Sequence, residues 1–318
     1  MNIDKILITE AEGAARLGQP IRHVILYGPP GLGKSTLGRK VAELQSGPFL
    51  SLTATPTWTD SNTFDILMGL PTTGYTTEGR RTEDSPNPST VLIDECHNYG
   101  PKSWTSWLRP LHDLEIDHVD GQVSWLPDFT VVFCTTVLSK VPNAVQSRCL
   151  KLRMSPWTRK EMTLLVRTRF LKLTEADVAD LVRKARGVPR LAIQYAENLL
   201  RFGEGWAEVF DIDEDGYTSD DRRYLEILAQ SRRPVALATM ASRLGLDRDT
   251  VELTIEPYLL AAGRIAIESG GRVLCSVTEV RGARVVLPVE ANPMVEGQRK
   301  VTALKAKAKA DLSARGKA

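Results

Sequence analysis

An α/β layered sheet, followed by a helical region and then a winged helix, is the fold class this sequence predicts. Three observations predict it. Short apolar runs alternate with helical or polar stretches through the first half, a glycine-rich turn joins the first of those runs to a helix, and beyond Pro156 the pattern turns helical before closing on a split apolar pair.

Residues 3–17 place Ile3, Ile6, Leu7, Ala11, Ala14 and Leu17 at helical spacing, which predicts a short amphipathic helix. Val24-Ile25-Leu26-Tyr27 is a short apolar run ending on a glycine, as expected of a buried parallel strand. Phe49–Leu52, Val91–Ile93, Val131–Cys134 and Leu150–Leu152 repeat the pattern. Residues 69–90 are rich in Thr, Gly, Pro, Asp and Glu and read as an exposed loop. Lys160–Leu171 is amphipathic, and Thr174-Glu175-Ala176-Asp177 has the form of a capping box opening the next helix. Gly187-Val188-Pro189 interrupts the chain before a helix through Leu200, and the acidic stretch Asp211–Asp221 reads as a linker. Three helical patterns follow, near 219–230, 235–244 and 248–262, then two apolar segments split by Glu268-Ser269-Gly270-Gly271. Helix, helix, helix, hairpin is a winged-helix order. The expected domains are 1–155, 156–210 and 211–290, with a basic tail at 291–318.

A chain of 318 residues can bury two or three cores. Its net charge of +2 excludes a polycation, so contact with nucleic acid must come from local patches. Cys96, Cys134, Cys149 and Cys275 form no Cys-x-x-Cys pair, which argues against zinc or a disulfide framework and suits a reducing cytoplasm. The N-terminus has no basic region ahead of an apolar run, and no apolar run is long enough to cross a bilayer. A cytoplasmic location away from membranes is expected.

The chemistry starts at Gly28-Pro29-Pro30-Gly31-Leu32-Gly33-Lys34-Ser35-Thr36, between a strand and a helix. Glycines in this spacing free backbone N–H groups for phosphate oxygens, Lys34 neutralises β/γ charge, and the Ser35 hydroxyl can ligate magnesium. ATP and Mg2+ are therefore the expected ligands. The strand through Ile93 ends in Asp94-Glu95-Cys96-His97. Asp94 is placed to hold the metal, usually through water, and Glu95 to orient or deprotonate the attacking water. Asp-Glu-x-His also occurs in a helicase superfamily, but no second sheet domain with its own arginine motif is visible. His97 is expected as a hydrogen-bonding neighbour. Thr135 and Thr136 end the next strand where either hydroxyl can position water, and each is equally readable as a strand-end turn. Arg148 and Arg190 are lone arginines whose order behind the glycine-rich loop suits a group offered to a neighbour's γ-phosphate and a reporter of nucleotide state.

Taken together, these motifs resemble the AAA+ ATPases, and within them the RuvB-like Holliday-junction branch-migration motors. The likeness is carried by His23–Leu37, Leu92–His97, Phe129–Thr136 and Arg186–Arg190. It extends to Ile255-Glu256-Pro257-Tyr258-Leu259-Leu260-Ala261-Ala262-Gly263 in the winged-helix part. The resemblance implies an ATPase domain with a helical lid and a C-terminal winged helix. It implies ATP hydrolysis at subunit interfaces of a homo-oligomeric ring or spiral, hexameric in form, acting on duplex or branched DNA. It makes Thr135 or Thr136 the first sensor, Arg190 the second, and Arg148 the finger acting in trans. Trp157 falls near adenine, where it stacks on the base or packs between domains. The stretch from Glu115 to Phe129 is shorter than the family's partner-docking hairpin, and the wing keeps only Arg272 of the family's DNA-touching arginines. Gln146-Ser147-Arg148-Cys149 is also similar to the Ser-Arg-Cys motif of sliding-clamp loaders. That leaves a second reading, a loader that places a clamp or helicase partner on DNA.

Overall fold

Five of the apolar runs become one parallel sheet. A computed structural model of the chain describes residues 3–76, 82, 87–100, 102–118, 120–280 and 283–288; the basic tail expected at 291–318 lies outside them. The chain divides into two units, Met1–Arg201 and Phe202–Ala318.

In the first unit, helix α1 (Ile3–Leu17) precedes strand β1 (Val24–Tyr27), helix α2 (Lys34–Gln45), strand β2 (Phe49–Thr53), helix α3 (Asp60–Met68) and strand β3 (Ser89–Asp94). After two short 3-10 turns come α4 (Pro110–Asp113), the strands β4 (Glu115–Asp117) and β5 (Val123–Trp125), β6 (Phe129–Thr135), α5 (Asn143–Gln146) and β7 (Leu150–Arg153). The sheet order is β2-β3-β6-β1-β7, all pairs parallel. β1 and β6 are central, and their residues are buried on both faces, which explains why they read as unbroken apolar runs. One face is covered by α1 and α2, through Leu7, Ala14 and Val41. Gly38 of α2 lets the helix lie close, since a Cβ there would stand 2.1 Å from Leu92 Cδ1. The other face packs on an aromatic cluster that includes Trp104, Trp107 and Phe133.

The helical region holds α6 (Arg159–Arg169), α7 (Glu175–Lys184) and α8 (Pro189–Phe202). α6 and α7 open on capping boxes, Thr158 with Glu161 and Thr174 with Asp177, each satisfying backbone N–H groups reciprocally.

In the second unit, α9 (Trp206–Val209) leads to α10 (Ser219–Gln230) and α11 (Leu237–Leu244). The acidic stretch read as a linker is an ordered turn: Asp213 Oδ1 accepts from the N–H groups of Asp215 and Tyr217. A third helix runs as α12 (Arg248–Thr250), a π-helical turn over Val251–Ile255, and α13 (Glu256–Ala261). The π turn stands just ahead of Pro257, which lacks the N–H that a regular helix needs there. Strands β8 (Ile265–Glu268), β9 (Gly271–Val280) and β10 (Ala283–Pro288) form an antiparallel sheet, and Val235 bridges to Arg272. This is a winged helix with its own core of Tyr224, Leu228, Met240, Leu244, Val251 and Leu259.

Candidate functional site

β1 and α2 are joined by the glycine-rich loop. Gly28, Gly31 and Gly33 take φ values of 144°, 76° and 91°, a region that residues with a Cβ rarely adopt. A Cβ on Gly28 would stand 2.6 Å from the Met154 carbonyl, and one on Gly31 2.9 Å from Val188 Cγ1. The loop thus passes tightly beside the end of β7 and the start of α8. No side chain caps α2, so the N–H groups of its first turn are open to an anion.

Lys34 is buried, and its Nζ donates to the carbonyls of Gly28 and Pro29, both at 2.9 Å. Burial pulls its pKa down, opposed by the charges of Glu95 and Asp94, while the Arg190 guanidinium adds to the depression. Parallel pairing carries β3 to the loop's side, where Ser35 Oγ donates to Asp94 Oδ2 at 2.5 Å. The backbone N–H of Glu95 donates to Asp94 Oδ1 at 3.0 Å, which fixes the carboxylate from its other oxygen. Glu95 itself sits at φ 51°. Its Oε2 lies 3.3 Å from His97 Nδ1, the same nitrogen that stands 3.3 Å from Thr135 Oγ1. Burial pulls the His97 pKa down against the raising effect of Glu95, so a neutral ring links the carboxylate to the end of β6. The Thr136 Oγ1 is buried without a hydrogen-bond partner.

The helical region touches the loop twice. The Arg190 N–H donates to the Gly31 carbonyl at 3.3 Å, and the Trp157 indole N–H donates to the Leu32 carbonyl at 3.2 Å. The Trp157 indole is thereby tied to the loop's backbone. Arg148 lies apart from this cluster. Its Nη1 donates to the Ala144 carbonyl at 2.7 Å, and it pairs with no carboxylate among the described residues.

Arg272 differs most from expectation. Rather than projecting from the wing, its guanidinium forms a two-pronged pair with Glu256, at 2.8 and 3.0 Å, and its side chain is 12% exposed. Glu256 is 1% exposed and also accepts from Tyr224 Oη at 2.9 Å. A buried carboxylate needs this cation, so Arg272 is held as a core partner.

Sequence reasoning missed two polar supports. Gln45 accepts from Ile21 N and donates to the Pro88 and Ser89 carbonyls, pinning α2 to the sheet. Its signal was a lone amide four residues beyond Val41 on the buried stripe of α2. His23 accepts from Val131 N through Nδ1, and burial lowers its pKa to about 4. The β4–β5 hairpin falls in the Glu115–Phe129 stretch, where the resemblance implies a hairpin shorter than the family's.

A five-stranded parallel sheet with this loop, carboxylate pair and helical neighbour defines an AAA+ ATPase, a nucleotide-binding, ATP-hydrolysing enzyme. Residues 24–156 match the family of ATPases associated with various cellular activities, and residues 214–278 match the RuvB C-terminal winged helix domain. More narrowly, the chain is a RuvB-like AAA+ ATPase. It is 28% identical over 288 residues to the Holliday junction branch migration complex subunit RuvB of Campylobacter concisus, covering 82% of this chain and 81% of that one. The RuvB of Rickettsia africae is 26% identical over 291 residues, covering 83% and 80%. Among solved structures, the Thermotoga maritima RuvB Holliday junction branch migration motor superposes with a TM-score of 0.72 at 26% identity, covering 86% of this chain and 91% of that chain. The clamp-loader reading is not favoured, since the C-terminal unit is a RuvB-type winged helix in place of a helical collar. No helix among the described residues is long and apolar enough to cross a membrane.

Proposed function

We propose that this ATPase is a motor on duplex or branched DNA, assembled as a homo-oligomeric, hexameric ring, with sites completed at subunit interfaces. The observation that carries the proposal is the union, in one chain, of the loop–carboxylate site with a winged helix of the RuvB type. In this reading, Gly28–Thr36 wraps the phosphates and Lys34 exchanges its loop carbonyls for β/γ oxygens. Ser35 and Asp94, already in contact at 2.5 Å, are the oxygen donors a magnesium ion needs. A magnesium ion held by Ser35 and Asp94 would supply neutralisation of phosphate charge there. Glu95, aimed by His97, orients and deprotonates the attacking water, and the hydroxyl of Thr135 or Thr136 helps to position it. Arg190 reads the γ-phosphate and passes the state to α8, while Trp157 couples the same region to the loop beside adenine. Arg148 enters the neighbour's site, and a DNA-targeting protein partner accompanies the ring.

The test is ATP turnover with and without a four-way DNA junction, together with the fate of the junction. Faster turnover with DNA and dissociation of the junction into duplexes is the expected result. Turnover indifferent to DNA, with the junction left intact, would sink the motor. Within the same assay, Lys34→Ala should lose nucleotide binding. Glu95→Gln should keep binding but lose turnover by about a hundredfold or more, the scale of a general base.

A further inference from the structure

The winged helix has to meet DNA with something other than its third helix or Arg272. The third helix exposes Asp249 and Glu252 against Arg248, and Arg272 is neutralised by the buried Glu256. A groove of about 490 Å³ in the same unit has the opposite character. It lies where the connection from α10 to α11 passes the wing turn at Gly270, and Arg232, Arg233 and Arg243 line it with no carboxylate among the lining residues. All three arginines are exposed, and none is ion-paired among the described residues. Arg243 Nη1 reaches only the Ser231 hydroxyl, at 3.4 Å. Three guanidinium groups left unpaired around one groove form an electropositive patch whose ligand must bring its own anions.

From this placement we infer that Arg232, Arg233 and Arg243 form the DNA-backbone contact of the winged helix, in place of the wing arginine. The inference rests on the motor reading above and gives it a substrate surface. The groove offers three guanidinium forks to phosphate oxygens, the geometry of a backbone contact that carries no sequence information of its own. The third helix is thereby kept out of the major groove, since its exposed Asp249 and Glu252 would face phosphates at short range. Each arginine that neutralises a phosphate contributes roughly 0.9 to the slope of log affinity against log salt.

The experiment is fluorescence anisotropy of a labelled random-sequence duplex with the full chain and a non-hydrolysable ATP analogue, titrated over about 50–200 mM salt. Changing Arg232, Arg233 and Arg243 together to Gln should lower the slope by about 2.7 and weaken binding by roughly two orders of magnitude near 0.1 M salt. Removing the same charge from α6 and its following turn, at Arg159, Arg169 and Lys172, should leave the slope within about 0.5 of the parent chain. Because the three groove arginines are exposed, the thermal midpoint should be unchanged, and that measurement separates lost contact from lost fold. If the parent chain binds no duplex, the motor reading itself falls. If the parent binds and the triple variant keeps its slope, only the placement falls. Capture of polyglutamate by the parent, with no difference between parent and variant on DNA, would assign the groove to an acidic protein and overturn the inference.

Discussion

The Glu95 side chain is 42% exposed, and its carboxylate lies 3.3 Å from the ring of His97. An exposed glutamate samples several rotamers, and only some of them aim at a water in line with the γ-phosphate. His97 narrows that choice, and by sharing Nδ1 with Thr135 it links the base to the strand end that borders the phosphate. In the proposed mechanism it is therefore a positioning residue. His97→Ala should lower kcat by about tenfold and leave ATP affinity unchanged, while His97→Asn should recover part of the loss. Steady-state turnover paired with equilibrium nucleotide binding checks both. His23 makes a prediction of a different kind. Its folded pKa of about 4 lies below the ordinary 6.5, so protonation favours the unfolded chain. The stability tied to the neutral ring is whole above pH 6.5 and is lost as pH falls toward 4, by up to about 3 kcal/mol. His23→Asn retains an acceptor for Val131 N and does not titrate. Its denaturation free energy should be lower at pH 7 and flatter between pH 6.5 and 4 than that of the parent; parallel curves would show that His23 is not the titrating group.

Between elements, Glu256 on α13, Arg272 on β9 and Tyr224 on α10 form one buried knot. Removing one ion of such a pair strands the other, at about 3–5 kcal/mol, whereas removing both for apolar groups of similar size is close to neutral. Glu256→Leu or Arg272→Met alone should therefore unfold the winged helix early in a urea titration, and the double variant should recover most of the loss. This knot also shows what the sequence does and does not disclose. Elements announced by period and punctuation were legible: the five core strands, the capping box at Thr174 and the glycine loop all came from local pattern, whereas the box at Thr158 appears only in the fold. Asp94 and Ser35 were legible as a pair because each stands at a strand end or helix start that parallel topology brings together. Arg272 was not, because its role depends on a partner sixteen residues away across two elements, and charge on a wing looks the same whether it faces water or Glu256. Gln45 was hidden for the same reason, since its partners lie far along the chain.

At the scale of the whole molecule, the catalytic cluster is built from one chain up to a point. In the proposed mechanism Lys34 and Arg190 supply positive charge and Asp94 and Glu95 serve the metal and the water, whereas Arg148, just after α5, is bonded to Ala144 and paired with no described carboxylate. A finger acting in trans makes a prediction that no single-chain role shares. Arg148→Ala and Glu95→Gln should each abolish turnover alone, the first by about a thousandfold or more and both with nucleotide binding intact. Mixed in equal amounts, the two inactive variants generate interfaces in which the Arg148→Ala protomer supplies Glu95 and the Glu95→Gln protomer supplies Arg148. With random assembly that is roughly one interface in four, so turnover should return to as much as about a quarter of the parent level. An arginine acting on its own chain's nucleotide would leave every mixture inactive, because no protomer holds both groups. Recovery should also follow the fraction of each variant as their product, peaking at equal amounts and vanishing at either end. Gel filtration of the mixture with an ATP analogue provides the companion measurement, since recovery without co-assembly would contradict the interface.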